Sequence, residues 1–355
     1  MEKKIRVGLI GVGGIMNFIH VAGYKKVKES EITAVCDIDE AKLKAVGDEL
    51  NISEKYRFTD YRELISCDAV DVVDIATWNS MHCEIAKYAA AAGKGFSVEK
   101  PVGMNYAQVR DLADIAEKKN IPTFVCLSWR YRPYTRYMKY LLDQKKVGKI
   151  FHIYVRCIKD SGLWEGRKRE WRFDKARASS GVLGDLGSHM IDIVRFFGQE
   201  FAEVYARKGI FVKERPSEET GEILPVDTDD WCNIIAKLES DTTCTIELTR
   251  CATTVPDLIH FEIYGEKGKL AYTYYANFDN QKIEFVDAKT KRTELLTPPK
   301  EFEAVQSQSF INLVNGIEDE YTAKIEHGLK CQAVIDAALI SSEENRPVTI
   351  KEITK

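Results

Sequence analysis

The sequence predicts an α/β protein with two domains: an N-terminal doubly wound parallel sheet and a C-terminal α+β domain with a largely antiparallel open sheet. Three observations predict this. Short β-rich runs alternate with helical segments up to residue 126, a glycine turn follows the first run, and later strand-like runs follow one another without helices. Strands that alternate with helices are typical of βαβ units, whereas strands joined by short turns are typical of antiparallel sheets. We therefore place the domains at residues 1–126 and 127–355.

The N-terminal strands are short and apolar. They are predicted at Ile5–Ile10, Ile32–Cys36, Val70–Ala76, Gly95–Val98 and Ile121–Cys126. Helical stretches lie between them, for example at 39–50 and 81–92. Because crossovers between parallel strands are right-handed, such units build a doubly wound sheet whose strand carboxyl ends border a ligand crevice.

The second half begins with a helical segment at 136–142, a strand at 149–157 and a helix at 190–197. Further strands are predicted at 231–238, 243–249, 258–264 and 269–275, and a last helix at 329–342. In the strand 243–249, Cys244, Ile246 and Leu248 share one face. Helices must cover that face, while the other is solvated or pairs with another subunit. We therefore expect a homodimer or homotetramer formed through this sheet.

Composition excludes several classes of protein. The chain has 355 residues, 45% of them apolar, and a net charge of −4, which gives no reason to bind nucleic acid or an acidic membrane. Its nine cysteines form an odd number, and none are spaced Cys-x-x-Cys, so a disulfide framework or zinc ribbon is not expected. The N-terminus carries no signal-peptide core, and no long apolar segment follows. We expect a cytoplasmic protein without a membrane or nucleic-acid partner.

The turn after the first strand reads Gly11-Val12-Gly13-Gly14-Ile15-Met16 and opens a helix. Gly11 permits a tight turn, Gly13 lets a pyrophosphate approach the backbone, and the helix N-terminus supplies N–H groups. This pattern predicts a Rossmann dinucleotide site, with a plain βα turn as the alternative. Met16 stands where glycine or alanine is usual, which implies looser packing of helix on strand.

Two further loops complete the predicted cofactor site. Asp37 ends the second strand and can accept both ribose hydroxyls, while it would repel a 2′-phosphate, so NAD is predicted rather than NADP. The alternative is that Asp37 or Asp39 only caps the next helix. The loop after the third strand lies against the crevice and supplies Thr77, Trp78, Asn79 and His82. For His82, an ordinary place in the first helical turn is an equal alternative.

Two separated motifs carry the chemistry. Glu99-Lys100-Pro101 closes the fourth strand, where a lysine can stand beside a nicotinamide. Far downstream, Asp185, His189 and Asp192 recur at i, i+4 and i+7, so one helix face presents two carboxylates and an imidazole. A histidine suits general acid–base catalysis because its pKa lies near neutrality. The alternative is a capped helix start with a satisfied histidine. A metal site is not expected, because no third ligand has a diagnostic spacing.

These motifs resemble the glucose–fructose oxidoreductase, inositol dehydrogenase and rhizopine-catabolism (Gfo/Idh/MocA) family along nearly the whole chain. Its Glu-Lys-Pro motif is similar to residues 99–101, and its Gly-x-x-x-Asp-x-Gly-x-His-x-x-Asp motif to residues 181–192. Its arginine–proline segment resembles residues 130–133, and its tryptophan–arginine pair resembles Trp171-Arg172. Met16, Trp78 and the pair Ser179-Ser180 depart from the family pattern, and none of these removes a group that the chemistry needs.

The resemblance implies roles for single residues. Lys100 would hydrogen-bond the reacting hydroxyl and stabilise a developing alkoxide. His189 would take the hydroxyl proton while hydride leaves for the nicotinamide. Asp185 would bind a neighbouring hydroxyl or tune His189, and Pro101 would fix the backbone at Lys100, with a cis bond as one option. The glycine turn, the loop at 77–82 and residues 99–101 would contact the cofactor.

A group of aromatic and basic residues is the candidate substrate wall. Aromatic rings suit the apolar faces of sugars, and guanidinium groups suit hydroxyls or anions. The group comprises Trp129, Arg130, Arg132, Trp164, Arg167, Lys168, Arg169, Trp171 and Arg172. The charge run 165–172 is equally consistent with a solvated loop, so a neutral pyranoside or cyclitol is favoured over an anion.

Three functions are compatible with these residues. The first is an NAD-dependent dehydrogenase that oxidises a secondary ring alcohol of a sugar, glycoside or cyclitol. The second is a glycoside-cleaving enzyme of the same family that oxidises C3 transiently and retains NAD. The third is a non-catalytic dinucleotide sensor, which the presence of both Lys100 and His189 disfavours.

Overall fold

The computed structural model describes residues 4–355, which form two compact units. One unit runs up to Leu127 and also includes Ala304–Leu329, and the other consists of Ser128–Glu303 and Lys330–Lys355. The sequence prediction placed 304–329 in the second domain. In the structure this segment pairs with the first unit, where the Val125 N–H donates to the Ala323 carbonyl at 2.7 Å. Among the described residues, no helix combines the length and apolarity needed to cross a membrane.

The sheet of the first unit is entirely parallel and has the strand order β3-β2-β1-β4-β5-β6. Its strands are β1 (Ile5–Ile10), β2 (Ser30–Cys36), β3 (Arg57–Phe58), β4 (Val72–Ile75), β5 (Gly95–Val98) and β6 (Thr123–Val125). The predicted doubly wound sheet is therefore confirmed. Since β1 and β4 are neighbours whose following segments lead to opposite sides of the order, their carboxyl ends mark the switch point where such sheets bind ligands.

The second unit contains a mixed, largely antiparallel sheet. Its strands are β7 (Ile150–Ile158), β8 (Phe201–Gly209), β11 (Trp231–Leu238), β12 (Thr243–Thr249), β13 (Leu258–Gly265), β14 (Gly268–Tyr275), β15 (Asn277–Asp287), β16 (Thr293–Leu296) and β17 (Val348–Thr349). They follow the order β16-β15-β14-β13-β7-β12-β11-β8-β17, in which β7 and β12 are parallel. A separate two-stranded sheet pairs β9 (Glu214–Pro216) with β10 (Ile223–Pro225).

The helices complete both units. In chain order they are α1 (Ala22–Tyr24), α2 (Glu40–Glu49), α3 (Tyr61–Ser66), α4 (Asn79–Ala91), α5 (Tyr106–Lys118), α6 (Pro133–Asp143), α7 (Lys175–Ala178), α8 (Val182–Asp185), α9 (Gly187–Phe196), α10 (Gln306–Val314), α11 (Ile325–Glu344) and α12 (Ile350–Thr354). A π-helix, Met16–Val21, precedes α1. The Asp39 side chain accepts the Ala41 and Lys42 N–H groups and so caps α2.

The large sheet is buried on one face and open on the other. Cys244, Ile246 and Leu248 of β12 are buried, as their alternation predicts. Large apolar side chains on the opposite face of the sheet are exposed, among them Tyr154 on β7 and Ile235 on β11. The homodimer or homotetramer through this sheet stays a prediction, and sedimentation of an Ile235→Lys variant beside the parent chain would test it.

All nine cysteines lie within the part of the chain that the structure describes, and each has a free thiol. Most of them are buried, as at Cys232 and Cys244, where burial raises the pKa of the thiol above its ordinary range. These thiols are small apolar core groups rather than nucleophiles.

Candidate active site

The glycine turn has the geometry that a dinucleotide needs. Gly11 has φ +84°, and a Cβ there would lie 2.7 Å from the Ala76 carbonyl oxygen, so this position requires glycine. A Cβ on Gly13, by contrast, would meet no described atom within 4 Å. The backbone at Gly13 therefore faces open space beside a helix N-terminus, and the residues fit a bound pyrophosphate.

The helix after this turn widens. Gly14 and Ile15 are exposed, whereas Met16 is fully buried and begins the π-helix. A π-turn accommodates one more residue than an α-turn and is common at functional sites. The π-helix thus begins at Met16, where the sequence departs from the usual small residue, and its next-to-last residue, His20, is buried.

Asp37 lies next to the glycine turn. Its Oδ2 accepts the Val12 N–H at 2.8 Å, and its Oδ1 accepts the Asp39 N–H at 2.9 Å. Each carboxylate oxygen has a second lone pair, so both can still accept a ribose hydroxyl. Asp39 rather than Asp37 caps the following helix, which leaves the cofactor role open to Asp37.

The loop after β4 divides into accessible and buried groups. Thr77 and Trp78 are half-buried, whereas Asn79 and His82 are buried. The His82 ring nitrogens lie 2.9 Å from the Pro101 carbonyl and 3.1 Å from the Thr77 carbonyl, and burial lowers the pKa of this histidine. His82 thus braces the two loops, and direct contact with a cofactor is not supported by its position.

The Glu99-Lys100-Pro101 segment continues β5 at the same edge of the sheet. The Glu99 N–H donates to the Ile75 carbonyl at 2.9 Å, which fixes the segment to the end of β4. The Lys100 N–H donates to Glu99 Oε2 at 3.1 Å, and the Lys100–Pro101 peptide bond is cis. The structure therefore brings the lysine segment, the glycine turn and the loop at 77–82 to one edge of the parallel sheet.

A buried ion cluster, which the sequence analysis did not identify, lies directly behind this segment. His20 Nδ1 is 2.7 Å from Asp74 Oδ2, and His20 Nε2 is 3.0 Å from Glu99 Oε1. The Tyr24 hydroxyl donates to the same Asp74 oxygen at 2.9 Å. One signal was available: Asp74 stands inside an apolar strand, and a buried carboxylate requires a partner.

In the second unit, α8 and α9 present two polar side chains from an otherwise buried segment. Every residue from 181 to 197 is buried except Asp185 and His189, which are half-buried. These two residues are four apart along a nearly continuous helix, so they lie on one face. The structure therefore brings this predicted pair together at an accessible position.

Asp192 does not share this accessible face. It is 1% exposed, and its oxygens accept Nε and Nη2 of Arg130 at 2.7 and 2.6 Å. Arg130, which the sequence analysis placed in the substrate wall, is equally buried at 2% exposure. Since both groups satisfy each other inside the core, we interpret them as a structural ion pair and remove Arg130 from the candidate substrate contacts.

A second residue missed by the sequence analysis holds the start of α8. The Asp229 carboxylate accepts the Gly181 N–H at 2.8 Å and the Leu183 N–H at 2.9 Å. A Cβ on Gly181 would lie 1.9 Å from the Asp229 carbonyl oxygen, so only glycine fits. This contact explains why glycine directly precedes the helix that carries Asp185.

The second unit also contains an aromatic pair and a charged pair. Trp129 packs edge-on against Tyr274 with 5.8 Å between ring centroids, and Arg132 lies over the Trp129 ring at 5.4 Å. Lys159 Nζ lies 3.5 Å from Asp257 Oδ1. Burial alone would lower the pKa of Lys159, but the charges of Asp257, Cys157 and Asp185 raise it, so the ammonium lies close to these acids. Lys159 and Asp257 stand at strand ends without a motif, which is why the sequence did not reveal them.

The segment 164–172 is rich in ion pairs. Arg167 and Arg172 both donate to Glu170, at 2.7 and 3.0 Å, and Arg169 donates to the Pro225 carbonyl at 2.7 Å. Trp164 is 60% exposed, and Lys168 is exposed as well. The Arg172 guanidinium also covers the Trp171 ring at 4.5 Å. Most of these cations already have partners, which favours the predicted polar loop over an anion site.

Substitutions at the two glycines should separate folding from cofactor binding. Gly13→Val should leave the thermal midpoint nearly unchanged, because its side chain meets open space, yet weaken NADH binding at least about tenfold, or about 1.4 kcal/mol. Gly11→Ala should destabilise the first unit by about 1–2 kcal/mol, because a Cβ is unfavourable at positive φ. Calorimetry with NADH and thermal melts measure both, and unchanged NADH affinity in Gly13→Val would contradict the assigned site.

Comparison with known proteins gives matches over most of the chain. Residues 5–126 match a family described as oxidoreductase family, NAD-binding Rossmann fold, and residues 135–271 match the GFO/IDH/MocA C-terminal domain. A levoglucosan dehydrogenase of Pseudarthrobacter phenanthrenivorans is 30% identical over 290 residues, which cover 77% of this chain and 74% of that protein. A glucose-6-phosphate 3-dehydrogenase of Bacillus subtilis is 26% identical over 363 residues, covering 98% and 99%. Among solved structures, a levoglucosan dehydrogenase in complex with NADH gives a TM-score of 0.88 at 25% identity, covering 98% of this chain and 99% of that one.

Proposed function

Because the chain belongs to the Gfo/Idh/MocA oxidoreductase family, we propose that it oxidises a secondary ring hydroxyl of a neutral sugar, glycoside or cyclitol. This membership confirms three predictions from the sequence: the family, an oxidoreductase activity and NAD as the cofactor. Relatives in the family are named as dehydrogenases of sugars and of inositol. The identity of the substrate and the roles of individual residues are the proposal.

One observation carries the proposed chemistry. Between residues 181 and 197, Asp185 and His189 are the side chains that are not buried. A helix that buries almost every other side chain has no packing reason to hold an imidazole and a carboxylate at the one accessible position. Polar groups that a fold keeps accessible on a rigid element are candidates for binding and catalysis.

In the proposed mechanism each residue has a separate task. His189 accepts the proton of the substrate hydroxyl as a general base. The Lys100 ammonium donates a hydrogen bond to the same oxygen and stabilises the negative charge that grows there. Asp185 accepts a hydrogen bond from a neighbouring hydroxyl and so orients the ring. NAD, when bound at the glycine turn, supplies the nicotinamide carbon that accepts the hydride.

The charges of the second unit favour a neutral substrate. Lys159 has the counter-ion Asp257, and Arg167 and Arg172 share Glu170. A phosphate would have to displace these carboxylates before it gained a guanidinium or ammonium partner. Hydroxyl groups can instead share the same charged groups as donors and acceptors. The ring pair Trp129 and Tyr274 suits the apolar face of a sugar ring.

A substrate panel tests this proposal. The protein is incubated with NAD and either levoglucosan, myo-inositol, methyl glucosides or glucose 6-phosphate, and NADH absorbance is followed. We expect at least one neutral compound to exceed glucose 6-phosphate by about tenfold or more in kcat/KM, a difference of about 1.4 kcal/mol. Preference for the phosphate would overturn the neutral assignment, and release of aglycone without net NADH would identify the glycoside-cleaving activity instead.

A further inference from the structure

The buried ion cluster behind Lys100 is built from residues that no motif connects. His20 comes from the π-helix, Asp74 from β4, and Glu99 directly follows β5. The His20 and Asp74 side chains are 1% and 2% exposed, and that of Glu99 is 12% exposed. The imidazole therefore spans two carboxylates in the interior of the sheet, and only the outer one approaches the surface.

The cluster reaches the lysine segment through Glu99. One Glu99 oxygen, Oε1, faces His20 Nε2 at 3.0 Å, and the other, Oε2, accepts the backbone N–H of Lys100 at 3.1 Å. A carboxylate held on both oxygens has little rotational freedom. The position of the lysine backbone at the strand end is consequently tied to the imidazole behind it.

We propose that His20 is a positioning residue for Lys100: as a buried imidazolium between Asp74 and Glu99, it fixes the Glu99 carboxylate that holds the Lys100 backbone. This inference rests on the proposed catalytic role of Lys100. The proposal assigns a function to a residue that lies outside the glycine turn and outside the Glu-Lys-Pro motif. It also gives Glu99 a role other than contact with the cofactor.

The charges of the neighbouring groups support a cationic ring. Burial alone would lower the pKa of His20, but Asp74 and Glu99 together raise it to about 10. Asp74 Oδ1 is buried and accepts no hydrogen bond from any described residue, so the imidazolium and the Tyr24 hydroxyl are the donors available to this carboxylate. Without the ring charge, two carboxylates would stand in the sheet interior with no cation between them, at a large cost in desolvation.

The same charge affects the lysine side chain. Burial would raise the pKa of Glu99, but the hydrogen bond and charge of His20, and then the charge of Lys100, hold it below its ordinary value. Glu99 is therefore an anion that faces two cations. If His20 became neutral, the full charge of Glu99 would attract the Lys100 ammonium and compete with a substrate oxygen for it.

A metal ion is the main alternative for this cluster. Ligand atoms of His20, Glu99 and Cys126 lie within 4.8 Å of one another. However, both His20 nitrogens face carboxylate oxygens at hydrogen-bond distance, and a metal ligand requires an unprotonated nitrogen. Burial also raises the pKa of the Cys126 thiol well above its usual range, which disfavours the thiolate that a metal would need.

A double-mutant cycle tests the proposal with the full chain, NAD and the neutral compound of the panel that is oxidised fastest. His20→Gln should lower kcat by about 10²-fold, because a small displacement of a catalytic group has an effect of this size, while the Kd for NADH changes little. In a Lys100→Ala background the same substitution should cause almost no further loss. Tyr24→Phe is the matched control, since it removes a neutral donor from the same Asp74 oxygen and leaves His20 and Glu99 in contact.

The outcomes separate this inference from the proposed function. If Lys100→Ala alone retains full turnover, the catalytic role of Lys100 is wrong. If Lys100→Ala is impaired but His20→Gln keeps its kcat, or if the two losses multiply, His20 does not act through the lysine. A His20→Gln variant that fails to fold is replaced by Glu99→Gln, which keeps an acceptor for the Lys100 N–H and removes the charge that faces His20.

The charge of the ring has a readout that does not depend on activity. Nitrogen NMR of ¹⁵N-histidine-labelled protein at about pH 8, above the ordinary histidine pKa of about 6.5, should show His20 as an imidazolium. The His20→Gln variant assigns its signal among the six histidines of the chain. A neutral ring at this pH, or zinc bound in stoichiometric amount after purification, would overturn the proposal.

Discussion

Lys100→Ala and His189→Ala should each lower kcat by about 10²–10⁴-fold, while the chain still folds and binds NADH. This range is typical for the loss of a positioned acid–base or electrostatic group. Lys100 lies shortly after β5 and His189 lies on α9, and both side chains are half-buried rather than part of a hydrophobic core. Stopped-flow measurement of NADH formation, with NADH affinity from fluorescence titration, gives both quantities.

Two surface residues provide matched controls for these variants. Lys118 is an exposed lysine in the last turn of α5, and His152 is an exposed histidine on β7. Lys118→Ala and His152→Ala remove the same chemical groups and should keep kcat within about threefold, as expected for ordinary surface substitutions. Full turnover in both Lys100→Ala and His189→Ala would exclude the proposed roles.

Much of the fold could be predicted because local patterns determine it. The bounds of β1, β5, β11 and β12 agree with the sequence prediction, since each is an apolar or alternating run that ends at a turn. Edge strands were missed for a physical reason. β17 has only two residues and exists through its pairing with β8, so it depends on tertiary contacts rather than on its own sequence.

The candidate site was predictable where a motif fixes the backbone and unpredictable where side chains pair across the chain. Gly11 and the helical spacing of Asp185 and His189 follow from local geometry. The inward position of His20 depends on a π-turn, which no sequence pattern indicated. Arg130 and Asp192 pair although they lie 62 positions apart in the sequence. Because no local pattern links them, the arginine was predicted to contact the substrate.

Asp192→Ala should destabilise the second unit by about 3–5 kcal/mol, the largest effect on stability that we expect, because it leaves the buried Arg130 guanidinium without its counter-ion. Burial alone would lower the pKa of Arg130, and Asp192 raises it. Even without Asp192 the guanidinium stays charged, because an arginine side chain does not deprotonate in proteins. Urea unfolding followed by tryptophan fluorescence measures the change.

An exposed ion pair in the same unit is the control for the buried pair. Arg156 and Glu247 lie 2.6 Å apart on the open sheet face, with side chains 52% and 38% exposed. Glu247→Ala should lower the free energy of unfolding by less than about 1 kcal/mol, because solvent screens surface pairs.

Replacing the buried pair by Arg130→Met and Asp192→Leu together should recover most of the stability lost in Asp192→Ala, since neither charge then remains in the core. If this double variant unfolds in as little urea as Asp192→Ala, the ion pair itself stabilises the unit, beyond each charge neutralising the other. If Arg130→Met instead raises KM and leaves the free energy of unfolding unchanged, Arg130 contacts the substrate, as the sequence analysis first predicted.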